Sequence, residues 1–117
     1  MPVSPLSFII KRNDTLPTVT VDVTDEAGEV VDFTDVLQAT FRMYTDEDVP
    51  VEAVNASANI VTPATGGAIE YGWQSGDTAD AGEYLAEFAL TFLDGSKLTV
   101  PHDGYIHIKV IPDLEDS

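Results

Sequence analysis

Residues 75–93 begin as a polar, glycine-containing turn and become the longest cleanly alternating run in the chain. Tyr84, Ala86, Phe88, Leu90 and Phe92 share one side of an extended strand. Glu83, Glu87 and Thr91 share the other, with Leu85 and Ala89 as its apolar exceptions. A period of two with one apolar side predicts a half-buried antiparallel strand. Residues 18–24 alternate as strictly, Val19, Val21 and Val23 inward against Thr18, Thr20, Asp22 and Thr24 outward, with β-branched residues at all positions but one. Residues 35–44 repeat the pattern, placing Leu37, Ala39, Phe41 and Met43 inward.

The remaining segments are shorter. Residues 8–12 predict a first strand, and residues 29–33 a short return after the turn Asp25-Glu26-Ala27-Gly28. Residues 59–62 and 68–73 predict two strands joined across Pro63-Ala64-Thr65-Gly66-Gly67. Asp94-Gly95 closes a hairpin onto residues 96–100, and residues 105–111 form the last strand before Pro112. Residues 49–59 are weakly patterned and are read mostly as loop or edge strand. Seven to nine short strands, with turn signals every 8 to 12 residues and no helical period, predict an all-β, immunoglobulin-like antiparallel sandwich. One domain is expected over residues 8–112, preceded by a proline-bearing flexible arm over residues 1–7 and followed by an acidic tail over residues 113–117.

Four residues are expected to determine that fold. Asp80-Ala81-Gly82-Glu83-Tyr84 has the form D-x-G-x-Y, in which a tyrosine at a strand start can return its hydroxyl to backbone upstream. Tyr84 would make that bond, Asp80 and Gly82 would shape the turn, and Trp73 would share an inward parity with Ile69 and Tyr71 as a core anchor.

Charge alters the picture of the surface. Five basic residues against twenty-one acidic ones give a net charge of −16. Such a surface repels nucleic acid and anionic membranes; it favours solubility or a basic partner. With no cysteine there is no disulfide and no thiolate chemistry. No secretory leader and no apolar run of membrane-spanning length is visible, so synthesis in a cytoplasm is expected.

Candidate chemistry is sparse. His102 and His107 are placed on opposite sides of extended chain, about 16 Å apart by strand rise, too far for a shared metal. Neither a nucleophile elbow, a zinc motif nor a phosphate loop occurs. Asp46-Glu47-Asp48 and the pair Asp77 and Asp80 are calcium candidates by composition, yet neither has the spacing of a calcium loop. No catalytic residue, metal or cofactor is therefore expected. Asn55-Ala56-Ser57 fits a glycosylation sequon without a secretory context to use it. Trp73, Tyr71 or Tyr44 as stacking platforms for a carbohydrate on a host surface form a second functional reading, set against burial of the same rings.

Three segments carry a family resemblance. Ile10-Lys11-Arg12-Asn13-Asp14-Thr15-Leu16-Pro17, the run of residues 71–88 from Tyr71-Gly72-Trp73 to Glu87-Phe88, and Asp94-Gly95 with Pro101-His102-Asp103-Gly104-Tyr105-Ile106 together resemble the N-terminal domain of the tailed-phage baseplate upper protein family. The resemblance spans roughly residues 8–111. It implies an immunoglobulin-like domain of a virion, present in several copies and bound to other structural proteins of the particle. The family brings no enzymatic residues to this chain. Tail, baseplate and capsid surface all remain open as locations.

Overall fold

The computed structural model describes residues 7–25, 27–101 and 104–114. Among the described residues nine strands follow one another: β1 (Ser7–Lys11), β2 (Val19–Asp22), β3 (Val36–Thr45), β4 (Glu52–Ser57), β5 (Asn59–Ile60), β6 (Ala68–Tyr71), β7 (Gly82–Phe92), β8 (Lys97–Val100) and β9 (Ile106–Ile111). A single 3-10 turn, Ala64–Gly66, is the one helical element among the described residues. The strands form a six-stranded sheet in the order β1-β9-β7-β3-β4, with β8 also paired to β7, and a three-stranded sheet in the order β2-β6-β5. The expected all-β sandwich architecture is what the chain adopts.

The alternation of β7 explains its central place. One edge of this eleven-residue strand pairs antiparallel with β3. Its other edge is divided, β9 taking residues 82–86 and β8 residues 88–91. Tyr84, Ala86, Phe88 and Leu90 are buried beneath the smaller sheet, while Leu85, Glu87, Ala89 and Thr91 are half-buried on the outer side. Phe41, Met43 and Ala39 of β3 and Ile106, Ile108 and Val110 of β9 continue the same buried face. The smaller sheet supplies Val19, Val21, Ile69 and Tyr71 from the other side.

Four expectations are corrected. The larger sheet is mixed, because β1 runs parallel to β9, from Ser7 beside His107 to Lys11 beside Ile111. A hairpin turn enforces antiparallel pairing, but these strands lie at opposite ends of the sequence and no turn constrains their direction. Ser7, assigned to the arm, is already the first residue of β1. Leu37 is 65% exposed instead of inward: the register slips between Val36 and Gln38, and such a bulge turns one residue off the alternation. Residues 29–33 make only an isolated bridge, Val30 to Thr24, although Phe33 is buried. The weakly patterned stretch contains β4, an edge strand whose outer side faces water and so carries little apolar signal.

Gly67 shows how local chain chemistry positions the smaller sheet. Its φ is +69°, and a Cβ there would meet Val30 Cγ1 at 2.5 Å and the carbonyl oxygens of Val31 and Val23 at 2.9 and 3.0 Å. Only glycine lets the start of β6 approach these backbones, where the Val23 N–H donates to the Gly67 carbonyl at 2.7 Å.

Candidate functional site

Residues 72–84, linking β6 to β7 across the two sheets, gather all four residues singled out in the sequence. Tyr84 is 7% exposed, and its hydroxyl donates to the carbonyl of Asp80 at 2.7 Å. Gly82, with φ +155°, lies against the Tyr84 ring, its ideal Cβ position 3.9 Å from Tyr84 Cε1. The Asp80 side chain is exposed; its contribution to the corner is the carbonyl.

Trp73 is buried at 4% exposure, edge-on to Tyr71 and to Phe41 with centroids 5.7 Å away in each case. Phe41 of the larger sheet stacks flat on Tyr71 of the smaller, 4.5 Å apart and 7° from parallel. These rings couple the two sheets. Two of the three proposed carbohydrate platforms, Trp73 and Tyr71, are therefore core residues and present no face to a ligand. The third, Tyr44, is half-buried and its hydroxyl donates to Glu52 at 3.1 Å.

Of the side chains that composition marked as possible calcium ligands, Asp77 has other partners here. The Asp77 carboxylate accepts from the Tyr71 hydroxyl in a short bond and from the Gln74 N–H at 2.8 Å. Thr78, only 2% exposed, donates its hydroxyl to the carbonyl of Asp14 at 2.9 Å, while its own carbonyl accepts from the Asn13 N–H at 3.0 Å. The corner is thereby tied to the turn after β1, some sixty residues earlier. No sequence signal marked Thr78, since an ordinary turn threonine acquires this role only through a distant backbone partner. Among the described residues, no group of three or more histidines or carboxylates is arranged to hold a metal ion.

Electrostatics agree with a holding role. Burial raises the Tyr71 hydroxyl far above its ordinary pKa, followed by its hydrogen bond to Asp77 and the charge of that carboxylate. Burial also raises Tyr84, with the charges of Asp80 and Glu47 acting in the same direction. Both hydroxyls hold their protons and donate them, Tyr71 to the Asp77 carboxylate and Tyr84 to the Asp80 carbonyl. A shallow depression of about 340 Å³ beside the corner is lined by Thr45, Asp46, Glu47 and residues 80–84. A neighbouring one of about 180 Å³ is lined by β1, β9, Asp46, Glu83 and Tyr84. His107 lies exposed on β9, and His102 lies outside the described residues.

Fold and corner together define a β-sandwich module in which the Tyr84 hydroxyl holds the corner and the Thr78 hydroxyl ties it to the first turn. No protein-family model matches the chain, and no curated protein matches its sequence. Among the described residues, no helix is long and apolar enough to cross a membrane.

Proposed function

We propose that this chain is a non-enzymatic structural component of a tailed bacteriophage particle, in tail, baseplate or capsid surface, working through contacts with other virion proteins. The observation that carries this reading joins sequence to structure. Of the segments that resemble the baseplate upper protein domain, residues 10–17 and 71–88 are far apart in sequence yet bonded directly through Thr78, Asn13 and Asp14. Two of the three resembling segments thus meet at one place, the turn after β1 against the corner before β7. Among the described residues β1 and β4 end the larger sheet with no further strand beside them, and such an edge can accept another strand.

Mass spectrometry of purified virions tests the proposal. The chain is expected at a copy number that is a multiple of the particle's local symmetry. Its consistent absence from intact particles, with presence in the lysate, would remove the reading.

A further inference from the structure

We propose that β1 of one copy pairs antiparallel with β4 of a second copy, extending the six-stranded sheet head to tail. The proposal rests on the reading of this chain as a contact module, and adds the partner and the register.

The two edges of the sheet carry opposite charge. Residues 7–12 contain Lys11 and Arg12, two of the chain's five basic residues, and no acid. Residues 45–60 contain Asp46, Glu47, Asp48 and Glu52 and no base. β1 itself carries Lys11 and no acid, and β4 carries Glu52 and no base. Antiparallel pairing of either strand with its own copy sets the like charges at opposite ends with no opposite charge beside them, and only the unlike edges bring Lys11 to Glu52.

Direction follows from the strand order. Lys11 is level with Ile111, Val110 with Gly82, Tyr84 with Thr45, and Tyr44 with Glu52. Lys11 and Glu52 therefore lie at the same end of the sheet, on opposite edges. A second copy set alongside in the same orientation brings β4 against β1 antiparallel, with the exposed Lys11 beside Glu52.

Hydrogen-bond parity then selects the register. The Arg12 N–H donates to the Ile111 carbonyl at 2.8 Å, so even-numbered residues of β1 address β9, while the Ser7 and Ile9 backbone groups and the Lys11 N–H point outward. The Ala58 N–H donates to the Ala39 carbonyl at 2.9 Å, so on β4 the outward groups are those of Asn55 and Ser57. On the core side stand Ile10 and Phe8 of β1, and Val54 and Ala56 of β4. Setting Ile9 opposite Asn55 and Ser7 opposite Ser57 satisfies both requirements. It places Ile10 across from Val54 and Phe8 across from Ala56, continuing the buried face from copy to copy. Shifts of two residues preserve the parity but leave part of a strand unpaired. Each added copy leaves one edge of each sign open, so assembly proceeds to a ring or a filament rather than stopping at a symmetric dimer.

Sedimentation velocity of the whole chain at intermediate ionic strength, about 0.1 M, over a concentration series, reads the outcome. The wild type should form species beyond the dimer. In this register Lys11 falls opposite Ala53 and diagonal to Glu52, which the slip between Met43 and Tyr44 turns to the same outer face. Lys11→Glu and Glu52→Lys should each weaken association about fivefold or more, by turning that attraction repulsive. The double variant should restore it. Ile9→Pro removes only an outward N–H and Asn55→Pro does the same on β4. Each alone should end chains, and an equimolar mixture should give a dimer and nothing longer, which also shows that both are folded. A wild type that stays monomeric to its solubility limit, assembly indifferent to both charge reversals, or a mixture no different from either proline variant would overturn the proposal. Detection of the chain in virions despite a monomeric wild type would leave the structural-protein reading standing; assembly with absence from virions would do the reverse.

Discussion

Tyr84 and Asp80 meet through one hydrogen bond, and deleting its donor isolates what the corner contributes. Tyr84→Phe keeps the ring in the core and leaves the Asp80 carbonyl to water, since Asp80 itself is exposed. A net loss of about 1 kcal/mol is expected, the usual worth of such a bond. Urea unfolding followed by Trp73 emission measures it; an unchanged midpoint would mean that the bond does not contribute. Tyr71 gives a second residue-scale outcome, in the alkaline range. Its folded pKa is raised above the ordinary 10.0. Below that value both folded and unfolded chains hold the proton, and this group's contribution is constant. Above it the unfolded chain releases the proton first, so stability falls as pH rises toward the folded pKa. Unfolding midpoints from about pH 9 to about pH 11 should decline less steeply for Tyr71→Phe than for the wild type. Identical slopes would refute the assignment. Both tyrosines were legible in the sequence, one by its turn motif and the other by strand parity. Thr78 and Asp77 were not, because their partners are fixed by tertiary structure and by the path of a loop.

Elements were legible wherever burial of one face imposes a period of two on the sequence. The segments that became β2, β3, β7 and β9 announced themselves because each lays a continuous apolar side on the opposing sheet. β4 did not, since an edge strand with Val54 as its one fully buried residue imprints little pattern. The parallel pairing of β1 with β9 left no trace either: register between distant strands is set by the assembled core, not by a local turn. Gly67 tests how tightly such a connection is built. Gly67→Ala must accept a left-handed backbone and also displace Val30 and two carbonyls. Gly28, with φ +83° and no atom within 4 Å of its ideal Cβ, is the control that carries the backbone strain alone. Gly28→Ala should lose about 1 kcal/mol. Gly67→Ala should lose more than twice that, because the clash adds to the strain. Calorimetry of both variants decides; equal losses would show that Val30 and the carbonyls of Val23 and Val31 yield freely.

Charge is a property of the whole molecule, and its sign determines how stability responds to salt. A net charge of −16 on 117 residues makes self-repulsion the dominant long-range electrostatic effect in the folded state. Attractive terms are few by comparison: Arg42 and Glu87 approach at 3.7 Å, with the arginine side chain 45% exposed. An exposed pair of this kind contributes about 0–1 kcal/mol, so its screening costs little. Raising ionic strength from about 0.01 M to about 1 M shortens the screening length from about 30 Å to about 3 Å, and relieves repulsion among carboxylates spread over the whole surface. The melting temperature should therefore rise with sodium chloride over that range. A fall would mean that pairs such as Arg42 with Glu87 outweigh the net charge. Association between copies should follow a different curve. Two bodies each carrying −16 repel at long range, so the first additions of salt strengthen pairing. The contact of Lys11 with Glu52 acts over a few ångströms and is screened only near the upper end of the range. Association should thus pass through a maximum at intermediate salt while the melting temperature continues to climb. A monotonic loss of association from the lowest salt would place the edge charges, rather than the acidic surface, in control of encounter.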